Sequence, residues 1–209
     1  MFPSLPFGEL YNLRTLNPER NKKLAEHVSA ATRLPLIAVP LFLVVGAASA
    51  GIRGILWAFL CLFLTSGLSL FYLLHLTLAG KVRDPRRISQ SERARPLWVV
   101  AGLHVGAFLL VTLLGAPAPL RAVLLSYALA TLLFALFTPL TNLSLHTAGV
   151  SGAAVCLAYV FGPWGALAAL LVPPVWWARR KLDRHTPVEL ALGVLVGGGG
   201  TWLAFWLIG

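Results

Sequence analysis

Residues 97–115 read LWVVAGLHVGAFLLVTLLG and residues 122–140 read AVLLSYALATLLFALFTPL, two runs without Asp, Glu, Lys or Arg. An α-helix needs about 20 mostly apolar residues to cross the hydrocarbon core of a bilayer. These runs are long and do not alternate polar with apolar residues, so they predict helices rather than barrel strands. Apolar stretches recur along the chain at about 35–50, 54–79, 97–115, 122–140, 147–161, 164–178 and 187–208.

The pattern predicts an all-α fold, a polytopic integral membrane helix bundle of about six or seven transmembrane helices. The first, fifth and sixth stretches are short for a crossing. The fifth and sixth are joined by Gly162-Pro163 and could form two shallow crossings or a re-entrant hairpin. Either arrangement returns the chain to the same side of the membrane.

The composition supports a membrane protein. Hydrophobic residues make up 58% of the chain and charged residues 11%, whereas soluble domains carry about 25% charged residues. The mean hydropathy is +0.80. These values exclude a disordered chain and a soluble enzyme. Cys61 and Cys156 both lie in apolar runs, where we expect small core residues rather than a disulfide or a metal site.

The first 33 residues differ from the rest, because cations and acids replace the apolar runs. Asn17-Pro18-Glu19 is typical of a helix start, with a capping residue followed by proline. We predict a short interfacial helix from Pro18 to Thr32. The chain thus divides into an N-terminal interfacial or cytoplasmic segment, 1–33, and a transmembrane domain, 34–209.

The polar connections predict the orientation. An even number of apolar stretches separates the segments 80–96, 141–146 and 179–186, so all three lie on one face together with the N-terminal segment. That face holds fifteen of the seventeen cations, and only Arg53 and Arg121 lie opposite. The positive-inside rule places it in the cytoplasm. We therefore predict a multi-pass protein of the cell membrane.

Ionisable residues are rare within the apolar stretches. His104 lies in the middle of one stretch, His75 near the end of another, and Glu189 at the start of the last. Helices that conduct ions or protons usually carry several buried ionisable groups, and these stretches carry very few. For His104 we therefore expect a role in helix packing rather than in a proton relay.

The segment 179–189, RRKLDRHTPVE, concentrates the polar chemistry. Thr186 as N-cap, Pro187 at the first helical position and Glu189 at the third form a capping box. One interpretation is simply a well-started last helix with interfacial cations. The other adds His185, which precedes a helix N-terminus where anions bind favourably. A neutral imidazole beside Arg179 or Arg184 could attack phosphorus, with Glu189 fixing its tautomer.

This segment resembles the third motif of the type 2 phosphatidic acid phosphatase superfamily, whose active site is shared with vanadium haloperoxidases. The family pattern is Arg-x5-His-x3-Asp, and this chain has Arg179, His185 and Glu189, followed by Gly193 and Gly197. Glutamate replaces the family's aspartate and is one methylene longer. The resemblance implies that His185 is the nucleophile that becomes phosphorylated, and that Glu189 orients it.

Two further segments are similar to the other family motifs, in the family order. Leu143-Ser144-Leu145-His146 matches Pro-Ser-Gly-His at the serine and the histidine. By resemblance, Ser144 binds a phosphate oxygen and His146 protonates the leaving oxygen. An alternative interpretation is a polar cap before a helix that begins near Thr147.

The first family motif, Lys-x6-Arg-Pro, is matched at its end by Arg95-Pro96, while Ile88 stands where its lysine would be. A divergent form of this motif reads Lys-x-x-Asp and then, after a basic stretch, Arg-x-Arg-Pro. It fits Lys81-Val82-Arg83-Asp84 and Arg93-Ala94-Arg95-Pro96. The resemblance implies Lys81 and Arg95 as phosphate ligands, with Arg87 and Arg93 as alternatives. A basic loop that holds anionic headgroups is the other interpretation.

The resemblance implies an integral membrane lipid phosphatase that needs no metal and no cofactor. Its substrate would be a lipid phosphate or a prenyl phosphate or diphosphate, within the bilayer, and no nucleic acid is expected as a partner. Two alternatives remain open. One is a non-catalytic membrane scaffold that binds anionic headgroups through the same face. The other is a phosphoryl transferase that uses the same histidine.

Overall fold

The computed structural model describes residues 18–82 and 90–208, and this part of the chain is all-α, as predicted. It forms seven helical segments, several of them interrupted by tighter or wider turns. They are α1 (Pro18–Ala31), α2 (Leu34–Leu78), α3 (Gln90–Leu113), α4 (Ala118–Phe137), α5 (Leu145–Phe161), α6 (163–181) and α7 (Pro187–Ile208).

Four of these helices, α2, α3, α4 and α7, are long and apolar enough to cross a membrane. Their outer surfaces carry large exposed apolar side chains, including Phe71, Leu78 and Leu113, which water would disfavour and lipid would accept. The four helices suggest a multi-pass membrane protein. The fifth apolar helix, α5, is shorter, with 17 residues.

A break divides α2 into the two stretches that the sequence predicts at 35–50 and 54–79. Ala50 and Gly51 leave helical geometry, and Gly51 has φ 56°, a conformation that glycine adopts at little cost. A side chain added at Gly46 would meet the backbone of Gly54, and one at Gly54 would meet Gly46. The two arms of α2 therefore fold back on each other as a hairpin.

The helix α3 begins earlier than the apolar run predicts. Hydropathy places the start at residue 97, whereas the helix starts at Gln90 and contains Pro96 in its interior. Hydropathy marks only the portion that lipid can cover, and a helix can continue beyond it into the polar layer. Leu97 packs against Phe134, Leu143 and Ala148, which brings this end of α3 to the polar segment after α4.

The packing of α5 against α7 positions the two histidine-bearing segments. A side chain at Gly193 would collide with Ser144 and Thr147, and one at Gly197 with Ala148. Small residues at such contacts allow helix backbones to approach closely. The Thr147 hydroxyl donates to the Leu190 carbonyl at 3.1 Å. This interface fixes the start of α5 beside the start of α7.

Candidate active site

His185 lies in the short connection between α6 and α7 and is 8% exposed. The predicted capping box follows it and is confirmed: Thr186 accepts from the Glu189 N–H, and Glu189 accepts from the Thr186 N–H. The Nδ1 atom of His185 lies 2.9 Å from the carbonyl oxygen of Asn142. Because a carbonyl oxygen can only accept, Nδ1 carries the proton and Nε2 keeps its lone pair.

Arg179 lies in the last turn of α6 and reaches the unprotonated side of that imidazole. Its Nη2 is 3.2 Å from Nε2 of His185. The neighbouring Arg180 donates through Nη1 to the carbonyl oxygen of His185 at 3.1 Å. The ring of His185 is thus held between a carbonyl on one side and a guanidinium on the other.

The Glu189 carboxylate is not hydrogen-bonded to His185, as it would be in a simple histidine–carboxylate pair. One oxygen accepts from the Thr186 N–H at 2.8 Å, and the other accepts from the Asn142 N–H at 3.3 Å. Its distance to Nδ1 of His185 is 3.6 Å, which is longer than a hydrogen bond. The main orienting contact of His185 is therefore the Asn142 carbonyl, and Glu189 holds the Asn142 peptide in place.

Ser144 is fully buried and caps α5. Its hydroxyl accepts from the Thr147 N–H at 3.4 Å, and its own N–H donates to the Glu189 carbonyl at 3.3 Å. The cap interpretation of this segment is confirmed, with the helix starting at Leu145 rather than near Thr147. The same contacts bring Ser144 beside the α7 segment that contains Glu189.

His146 follows in the first turn of α5, at its loop end. Its Nε2 lies 3.1 Å from the carbonyl oxygen of Ser29 in α1. Burial and, to a smaller extent, the positive charge of Arg179 lower the pKa of His146 from 6.5 to about 4, while the contact with the Ser29 carbonyl opposes this shift. His146 is therefore neutral at pH 7, with its proton on Nε2.

Ser29 is a component of this site that the sequence interpretation did not include. Its hydroxyl accepts from Nη1 of Arg179 at 2.8 Å, so α1 contacts both Arg179 and His146. The signal available in the sequence was the spacing of Ala25 and Ser29, two small residues one turn apart on a charged helix. Both are buried, because that face packs against the end of α6.

The cations of the first motif are not joined to this cluster in the described residues. Lys81 and Arg95 are exposed, and no hydrogen bond or ion pair links their side chains to the cluster in 18–82 or 90–208. Arg87 lies outside the described residues, and so does the side chain of Arg93. Arg95 lies two residues before Leu97, whose packing against Leu143 places it at the same end of the bundle.

A cavity of about 100 Å³ lies inside the bundle beside the cluster. Leu145, Ala148 and Gly149 line it on the side of the second motif. Its wall is almost entirely apolar, and His104 and Thr131 line it deeper in the bundle. The volume is comparable to cavities that hold a small hydrocarbon.

The chain matches no protein-family model, no curated protein and no solved structure. Within residues 18–82 and 90–208, no three His, Cys, Asp or Glu side chains are grouped so that they could hold a metal ion. The site consists of the imidazole of His185, whose Nε2 faces the Arg179 guanidinium, and the neutral imidazole of His146.

Proposed function

We propose that the protein is an integral membrane lipid phosphatase, which hydrolyses a phosphate or diphosphate monoester of a lipid or prenyl alcohol through a phosphohistidine intermediate. One observation carries the proposal. The Nδ1 atom of His185 is fixed by the Asn142 carbonyl at 2.9 Å, and its Nε2 lies 3.2 Å from the guanidinium of Arg179. This arrangement supports a nucleophilic nitrogen beside a group that binds phosphate.

In the first step, Nε2 of His185 attacks phosphorus while the bond from phosphorus to the lipid oxygen breaks. His146 gives a proton to the departing oxygen. In the second step, a water molecule attacks the phosphohistidine, His146 takes a proton from that water, and inorganic phosphate leaves. Arg179 neutralises part of the charge on the phosphoryl oxygens throughout. A bound dianion near His146 would raise its pKa, and so favour the protonated form that the first step needs.

The cavity supports a substrate with a hydrocarbon tail. Leu145 and Ala148, which lie on either side of His146 at the start of α5, line this cavity. A phosphate held at Arg179 would place the first carbons of its alcohol near this apolar wall. A soluble phosphate ester would gain nothing from that contact, whereas each buried methylene of a lipid contributes about 0.8 kcal/mol.

The test is release of inorganic phosphate in detergent from a panel of phosphatidate, prenyl phosphate and prenyl diphosphate, with a chelator present. We expect turnover with at least one of them, and a base-stable, acid-labile phosphorylated protein on rapid quenching. Binding without release would favour the scaffold. Transfer to an added alcohol in place of water would favour the transferase.

We also propose that this end of the bundle faces the cytoplasm, since the segments that the sequence predicts on one face carry fifteen of the seventeen cations. Cysteines at Lys23 and Arg53, both exposed and at opposite ends of the predicted topology, form a matched pair. In intact cells, an impermeant thiol reagent should label Arg53→Cys and not Lys23→Cys. The reverse labelling pattern would mean that this end of the bundle faces the outside of the cell, and that the substrate lies in the outer leaflet.

A further inference from the structure

The helix α1 presents two different faces. Ala25 and Ser29 point into the protein and are buried, while Arg20, Lys23 and Leu24 are exposed. The inward face packs against the last part of α6, which carries Arg179. A two-residue link, Thr32-Arg33, connects α1 to α2. The helix therefore lies over the candidate active site while its outer face remains available to the membrane surface.

Ser29 takes the hydrogen bonds that a phosphoryl group would use. Its hydroxyl oxygen accepts from Arg179 at 2.8 Å, and its carbonyl oxygen accepts from His146 at 3.1 Å. A phosphate bound for attack by His185 needs oxygen atoms within reach of the same guanidinium and the same imidazole. These donors cannot serve Ser29 and a phosphate in the same direction at once.

We propose that α1 is a displaceable cover of the phosphate site, and that Ser29 is its internal competitor for Arg179 and His146. The inference rests on the proposed function. Both oxygens of Ser29 are neutral acceptors, whereas those of a phosphate are charged, and charge-assisted hydrogen bonds are roughly twice as strong. A phosphate can therefore replace Ser29, and the C-terminal turn of α1 moves away from α6 when it does.

Labelling of a buried position on α1 tests the movement. The native Cys61 and Cys156 are buried, so introduced thiols dominate the reaction. In detergent, inorganic phosphate should accelerate labelling of Ala25→Cys by about threefold or more, compared with chloride at equal ionic strength. Lys23→Cys, two residues away on the exposed face, should react at the same rate in both. Slower or unchanged labelling of Ala25→Cys, with phosphate bound, would overturn displacement.

Binding of inorganic phosphate, measured by calorimetry in detergent, tests the competition. Ser29→Ala removes one competing acceptor, and a hydrogen bond of typical net strength corresponds to about two- to tenfold tighter binding. Ser29→Asp places a carboxylate on Arg179 and should weaken binding at least about tenfold. Ser49→Ala is the control, because the Ser49 hydroxyl donates to the Val45 carbonyl of its own helix.

The outcomes separate this inference from the proposed function. If phosphate binds the wild-type protein and Arg179→Gln loses it, the proposed phosphate site stands. Equal or weaker binding by Ser29→Ala would then overturn the cover alone, and would make Ser29 a support for Arg179. If neither the wild type nor Ser29→Ala binds phosphate, the proposed function fails and the cover fails with it.

Discussion

Two buried histidines lie in contrasting surroundings. His104, in the middle of α3, is 5% exposed and His185 is 8% exposed. The ring nitrogens of His104 face the hydroxyls of Ser69 and Thr131, each at 3.3 Å, and its ring meets Tyr127 edge-on. Those of His185 face a carbonyl and a guanidinium. Similar burial therefore accompanies quite different chemistry.

The difference teaches that the neighbours of a histidine, rather than its burial, indicate its role. Neutral hydroxyls satisfy the imidazole of His104 and tie α3 to α2 and α4, which is the work of a packing residue. At His185 a fixed tautomer and an adjacent cation are what the proposed nucleophile needs. Paired substitutions of His185 and His104 can test this difference.

The largest effect is expected at His185. His185→Ala should reduce phosphate release by about a thousandfold or more, because a nucleophile has no substitute. Both histidines are buried, so each alanine should lower the melting temperature in detergent, but His104→Ala should leave kcat within about threefold. Substantial phosphate release by purified His185→Ala would remove it as the nucleophile.

The contact between α5 and α7 provides the next test. Gly197→Ala forces a side chain against Ala148 and should cost about 1–3 kcal/mol of stability, with activity falling in parallel. Gly199→Ala, two residues along α7 with open space around it, is the matched control and should be neutral. Equal effects of the two alanines would mean that the tight interface does not hold the site together.

Glu189 tests how His185 is oriented. Glu189→Gln keeps one oxygen for the capping box, but its amide nitrogen cannot accept from the Asn142 N–H, and the charge near Nδ1 is lost. We expect a small loss of thermal stability and a fall in kcat of about tenfold, or about 1.4 kcal/mol of barrier. Glu189→Asp, which keeps the carboxylate and shortens the side chain by one methylene, should retain measurable activity. A fully active glutamine variant would leave the Asn142 carbonyl as the sole orienting group.

The smallest effect concerns His146 and pH. Its pKa is lowered from 6.5 to about 4 by burial, so below pH 6.5 the unfolded chain binds a proton that the folded protein does not. Stability is therefore complete above pH 6.5 and falls as the pH drops toward 4. In thermal melts near pH 5.5, one unit below the ordinary pKa, His146→Gln should lose about 1 kcal/mol less than the wild type. Parallel melting curves for the two proteins across this range would contradict the low pKa.

Local patterns predicted much of the fold and part of the site. The capping box at Thr186, the helix from Pro18 and the buried cysteines all follow from a few neighbouring residues, and the structure confirms them. The pairing of Arg179 with His185 spans only six residues. Such features depend on one turn or one helix end, which the sequence specifies directly.

The contacts that complete the site could not be predicted in this way. The orienting carbonyl belongs to Asn142, and a carbonyl leaves no trace in residue type. Ser29 reaches Arg179 across 150 positions of the chain, so no local pattern records it. The early start of α3 was missed because hydropathy reports burial in lipid and not helix length. Contacts between distant residues and contacts made by backbone groups therefore could not be predicted from the sequence.

The contacts between distant segments also bear on how the molecule is made. A chain emerging from the ribosome has α1 long before α7, yet the N–H of Ser144 finds its partner only in the carbonyl of Glu189. Until that last described helix inserts, the start of α5 lacks both this bond and the Leu190 acceptor of Thr147. The candidate site would thus be complete only after α7 has inserted, and the proposed activity would be absent from a nascent chain that has not reached this stage.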